Sequence, residues 1–149
     1  MKMKMKSNKQ HITSFIVMVI IGMLFNPMNL LAFRFSDLYI SVTLFYGGLL
    51  MASNMMWAHE IVHYLSMGHF NISVLCIGIV LSCSVIILLR NQLLVDDTQW
   101  LRRMIPHHST ALTTTHKIHD KTDNPDIKEL AREIIDTQEK EIKLMKSLL

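Results

Sequence analysis

Met104-Ile105-Pro106-His107-His108 places a thioether, a proline and two adjacent imidazoles in one short run. Imidazole and thioether together suit soft and borderline metals, copper above all. A second cluster, His59-Glu60-Ile61-Val62-His63, spells a zinc-hydrolase motif, with two imidazoles one helical turn apart and a glutamate between them. His69 follows at the spacing of a third ligand in the metzincin pattern, although that pattern needs glycine where Ser66 stands. The chemistry on offer is metal binding, with hydrolysis as a further reading of the second cluster alone.

The elements that must position these residues divide the chain by solvent. Of 149 residues, 50% are hydrophobic and only 18% charged, which is apolar for a soluble domain. Between residues 12 and 89 the charged side chains are Arg34, Asp37 and Glu60, whereas from Arg90 onward both signs are dense. We expect a basic tail (1–11), a membrane domain (12–90) and a water-soluble helical domain (91–149). The net charge of +3 comes largely from Lys2, Lys4, Lys6 and Lys9, a membrane-flanking tail that is expected to be disordered. Its Met-Lys alternation also permits a methionine tract for copper. Interleaved charges after Arg90 give no basic face, which excludes nucleic acid as a partner.

Three transmembrane helices are predicted, the lipid bilayer being the partner of each. The first, 12–33, is a retained anchor kinked by Pro27, and no small-x-small cleavage site follows it. The second, 38–58, carries Gly47-Gly48, Ala52 and Ser53, which permit close helix approach, with Tyr39 and Trp57 at its interfaces. The third, 70–89, contains Cys76 and Cys83, too far apart on a helix for a disulfide, and read as small packing residues. The lysines favour a cytoplasmic N-terminus, and three crossings then put the C-terminal domain outside.

Beyond the spans, Asp96 or Asp97 can cap a helix, with Pro106 imposing a kink or a late start. Asp120–Asn124 breaks it, Asn124 caps a second helix and Pro125 takes its first position. Ile127, Leu130, Ile134, Gln138, Glu141, Ile142, Met145 and Leu149 recur along one side of that helix. The expected fold class is all-α, three spans followed by a C-terminal antiparallel helical hairpin. So small a hairpin buries little core alone. It must pack on the membrane domain or self-associate into a four-helix bundle, a homo-oligomer formed through Leu130, Ile134, Ile142 and Met145.

Asp97-x-x-Trp-Leu-x-x-Met-Ile-Pro-His-His-Ser-x-Ala, followed by Leu130-Ala131-x-x-Ile-Ile-x-x-Gln-x-x-Glu-Ile-x-x-Met145, resembles the bacterial family called domain of unknown function 305. The resemblance covers residues 96–149, and a membrane-anchored subgroup of the family carries three spans before the domain. It implies a ferritin-like half-bundle. It also implies copper handling through Met104, His107, His108 and Met145, because some soluble His- and Met-rich members are associated with copper. This chain departs from those members at Thr113-Thr114-Thr115, where they carry a further methionine.

On an ideal helix Met104 and His108 lie one turn apart, with His119 three turns further on nearly the same side, while His107 points about 100° away. Glu141 and Met145 face inward from the second helix, and a carboxylate there shifts the preference toward iron, zinc or manganese. The candidate ligands are therefore Met104, His107, His108, His119, Glu141 and Met145, with His59, His63 and His69 as a second set. The competing reading makes the histidines a hydrogen-bonded support around Pro106, the methionines core filler, and the chain a structural module without metal. Either way we expect a binding protein and not an enzyme. The metallopeptidase reading of His59-Glu60-x-x-His63 is weakened by its place at the end of a span.

Overall fold

The computed structural model describes the backbone of residues 2–149 and the side-chain surroundings from residue 9 onward. Among the described residues every regular element is helical: α1 (Lys2–Leu24), α2 (Pro27–Leu30), a 3-10 turn (Phe35–Asp37), α3 (Val42–Met67), α4 (Ile72–Arg90), α5 (Asp97–Lys121) and α6 (Pro125–Ser147). The chain divides into two compact units. One comprises Met1–Leu24 and Thr43–Leu94, the other Phe25–Val42 and Val95–Leu149.

The first unit holds α1, α3 and α4. The tail expected to be disordered continues α1 back to Lys2, in keeping with the good helix propensity of Lys and Met. The side chains of the Met-Lys run lie outside the described residues. Pro27 does not kink a long span. The helix ends at Leu24, Asn26 caps a new short helix by accepting Asn29 N–H at 3.0 Å, and Pro27 takes its first position. Residues 38–41, read as the start of the second span, are not helical. Two stretches, Lys9–Leu30 and Ile72–Arg90, are long and apolar enough to cross a membrane. On that criterion two stretches qualify where three were expected, because Ser53, Asn54 and His59 dilute the apolarity of α3.

Small residues let these helices approach. A Cβ added at Gly48 would lie 2.7 Å from the Val19 carbonyl oxygen and 2.7 Å from Met23 Cγ, so only glycine permits the contact of α3 with α1. A Cβ at Gly78 would lie 3.0 Å from Trp57 N, a similar approach of α4 to α3. Ser82 Oγ reaches Ser53 Oγ at 3.1 Å and Asn54 Oδ1 at 2.9 Å. Trp57 Nε1–H donates to Asn54 Oδ1 at 3.2 Å. Small and polar side chains thus make the closest helix contacts, beside the buried Val19, Leu44 and Val85, while Val17, Ile20, Phe45, Met55, Val80 and Ile87 are exposed.

The second unit has the reverse pattern. Asp96 accepts Gln99 N–H at 2.7 Å and starts α5 at Asp97. Pro106 lies buried inside a continuous helix, so no late start is needed. Asn124 accepts Asp126 N–H at 2.9 Å and starts α6 with Pro125 in its first turn. Leu101, Ile105 and Leu112 of α5 pack against Ile142 and Met145 of α6, with Met104, Ile135 and Tyr39 around them.

Residues 25–42 form a strap over this helix pair. Phe33 N–H donates to Ser109 Oγ at 2.8 Å, and Thr110 Oγ1–H donates to the Met28 carbonyl at 2.8 Å. Val42 N–H donates to Gln99 Oε1 at 2.9 Å. Each bond satisfies backbone that has no partner of its own in regular structure.

Candidate functional site

The predicted ligands converge only in part. His108 Nδ1 lies 2.9 Å from the Met104 carbonyl oxygen, one turn back on α5. A carbonyl can only accept, so Nδ1 carries the hydrogen and Nε2 is the outward-facing nitrogen. That nitrogen lies 2.9 Å from Glu141 Oε2 on α6. The His108 side chain is 13% exposed and that of Glu141 46%, so the pair forms a rim rather than a buried centre.

His107 is exposed, its ring centroid 6.0 Å from that of His108. Met104 is half-buried against the core and Met145 is inside it. His119 stands beside Asp120, its Nδ1 3.6 Å from Oδ1, on another part of α5. Among the described residues no three His, Cys, Asp or Glu side chains are grouped so as to hold a metal ion. Of the predicted ligands at the first site the structure brings together His108 and Glu141.

Asp37 is the residue that sequence reasoning missed. It is fully buried, its Oδ2 accepts from Ser109 Oγ at 2.6 Å and its Oδ1 from Lys146 Nζ at 2.5 Å. Ser109 Oγ thus donates to the Asp37 carboxylate and accepts from the Phe33 N–H, a hydroxyl that anchors the strap to α5. A buried carboxylate is tolerated only when paired and hydrogen-bonded, and both conditions are met. Arg34 makes a forked pair with Glu139, at 2.6 and 3.2 Å, and that hydrogen bond raises its pKa further above the ordinary arginine value. His116 stacks on Phe33 with ring centroids 4.9 Å apart. The signal for these ties was available: Arg34 and Asp37 are two of the three charges in a long apolar stretch, and such charges need partners.

The third of those charges, Glu60, is buried and accepts Asn71 N–H at 2.8 Å, closing the turn between α3 and α4. His59 and His63 lie one turn apart, as expected, with ring centroids at 6.3 Å. Gly68, at φ +73°, ends α3 and reverses the chain, a conformation glycine adopts without strain. His69 is thereby returned to His63, ring edge to ring face at 4.6 Å.

Comparison with known proteins agrees with this division. The family described as "Domain of unknown function (DUF305)" matches residues 89–149. A protein of Acanthamoeba polyphaga mimivirus, "Uncharacterized protein L153", is 36% identical over 126 residues, or 83% of this chain and 81% of that relative. That likeness extends past the matched domain into the apolar half. No solved structure matches. On the shared C-terminal domain and the length of the shared sequence, this chain belongs to the DUF305 family.

Proposed function

We propose that the chain is an integral membrane protein whose C-terminal half is an antiparallel helical hairpin that holds a transition metal at the membrane surface, copper in its divalent state. The observation that carries this is the 2.9 Å separation of His108 Nε2 and Glu141 Oε2. Nitrogen and oxygen donors bound at about 2.0–2.1 Å and at right angles on a tetragonal ion lie roughly 2.9 Å apart, and divalent copper favours such sites. The Met104 carbonyl fixes the His108 ring through Nδ1, as an outer-sphere partner of a metal ligand does. His107 is next in sequence and exposed, available to complete the set. Copper(II) titration of the full chain in detergent, followed by electron paramagnetic resonance, tests this. One equivalent should be lost in His107→Ala/His108→Ala, and an unchanged stoichiometry overturns the proposal.

Binding rather than catalysis is the role proposed for the whole chain. Glu60, the residue a zinc hydrolase would use as a base, is engaged with Asn71 N–H. A second reading has its own support: both His108 nitrogens already have partners, so the His108–Glu141 pair could serve only to tie α5 to α6. On that reading His108→Ala lowers stability by about 1–2 kcal/mol and leaves copper binding unaltered.

The membrane proposal includes α3 as a third crossing. Its buried residues include the small or polar Gly48, Ala52 and Ser53 beside Leu44 and Tyr46, and Phe45, Met51 and Met55 face outward. Phe35, 92% exposed, and Ile40, 71% exposed, suit a strap lying against lipid. The N-terminus is assigned to the cytoplasm from its lysines, and the C-terminal domain to the outside. Self-association uses only part of the stripe read in the sequence. Ile142 and Met145 lie inside one chain's own core, whereas Ile127, Leu130, Leu144 and Leu148 are exposed along α6. A second copy packed there would make a four-helix bundle.

A further inference from the structure

We propose a second, separate site for a divalent transition cation of the zinc class, built from His59, His63, His69 and His11 at the end of the first unit. It is independent of the copper proposal. A recess of about 500 Å³ is lined by His11 of α1, His59, Glu60 and His63 of α3, and His69 of the following turn. Four imidazoles thus lie around one recess at one end of an apolar helix unit.

The hydrogen bonds orient the rings for ligation. His63 Nδ1 lies 2.8 Å from the His69 carbonyl oxygen, and His69 Nδ1 lies 3.2 Å from the Met67 carbonyl oxygen. Both partners can only accept, so both Nδ1 atoms carry hydrogen, and each neutral ring presents its lone pair at Nε2. This is the tautomer that histidine ligands adopt when a carbonyl holds their other nitrogen. Glu60 supports the arrangement from behind by holding Asn71 N–H, which fixes the turn that carries His69.

The ring separations, 4.6 Å between His63 and His69 and 6.3 Å between His59 and His63, bracket the roughly 5 Å expected for imidazoles sharing a tetrahedral ion with Zn–N bonds near 2.0–2.1 Å. The rings are not yet gathered as three ligands around one point. A χ rotation of His59 and approach of the exposed His11 along the recess would gather them. Neutral imidazole suits zinc, and Glu60, held on the backbone, is a positioning residue here and not a ligand.

The test uses the full chain in detergent micelles, with cobalt(II) as the spectroscopic probe for zinc. Wild type is expected to take up one equivalent with the intense visible bands of tetrahedral cobalt, displaced by zinc. His59→Ala/His63→Ala should lose those bands, while His107→Ala/His108→Ala should keep them, which separates this site from the copper proposal. Absence of the bands in wild type, or their survival in His59→Ala/His63→Ala, overturns the proposal. Should that variant misfold, the unaltered chain decides: zinc is expected to reduce diethyl pyrocarbonate modification of His59, His63 and His69 at least fivefold, measured by peptide mass spectrometry. Equal modification with and without zinc overturns it.

Discussion

The two units of this chain bring their helices together in different ways. Among α5 and α6, apolar side chains are inside: Ile105 and Leu112 are fully buried and Ile142 nearly so. Among α1, α3 and α4, Gly48, Ser53, Gly78 and Ser82 make close contacts beside the buried Val19, Leu44 and Val85, and many large apolar residues face out, Val80 at 64% and Ile87 at 61% exposure. Water drives apolar groups together, so a helix pair in water must hide them. Lipid exerts no such force, and helices there associate through close backbone approach and polar side chains. On the membrane reading proposed above, the difference reflects two solvents for one chain.

The largest effects should come from the second unit. Leu112→Ala removes a fully buried side chain and is expected to cost about 2–5 kcal/mol, seen as a lower denaturant midpoint. Lys146→Met leaves the Asp37 carboxylate buried beside Ser109 without its cation. It should cost about 3 kcal/mol, less than for a wholly buried pair because Lys146 is 31% exposed. The same substitution should loosen the strap, read as faster amide exchange at Phe33.

Effects in the first unit should be smaller and of another kind. Gly48→Leu drives a side chain into the Val19 carbonyl and should cost about 1–3 kcal/mol in detergent unfolding, by separating α1 from α3. Ser82→Ala should cost only about 0.6 kcal/mol, the usual worth of a hydrogen bond between membrane helices. Arg34→Ala in the second unit should also have a small effect, since an exposed ion pair is worth under ~1 kcal/mol. If Ser82→Ala cost as much as Leu112→Ala, the contrast between the units would fail.

Local signals were legible in the sequence and distant ones were not. Asp96, Asn124 and Pro125 sit where capping chemistry requires, because a cap is settled by a few neighbouring residues. The inward stripe of α6 was legible at Ile142 and Met145. Pro106 misled, since a proline usually kinks or ends a helix. Here the cap at Asp96 and the burial of Leu101, Ile105 and Leu112 hold α5 together across it. Asp37 was out of reach as a site residue because its partners lie 72 and 109 residues away in sequence. The ligand set thinned for a related reason: helical spacing put His119 on the side of His108 but could not say which residues α6 would meet. The return of His69 to His63 depended on one positive φ at Gly68, which spacing alone did not disclose.

Cys83 offers the most direct measurement. It lies near the middle of α4 and is exposed in the structure, with a free thiol. In water such a thiol would react readily, whereas in a bilayer the same exposure faces acyl chains. The full chain in liposomes should be treated with a hydrophilic, membrane-impermeant maleimide, with labelling in denaturing detergent as the total. The two-solvent account predicts that Cys83 remains largely unlabelled in liposomes, while a cysteine introduced at Thr122 on otherwise identical protein labels in opened vesicles. Labelling of Cys83 as fast as that of the position-122 cysteine would contradict it.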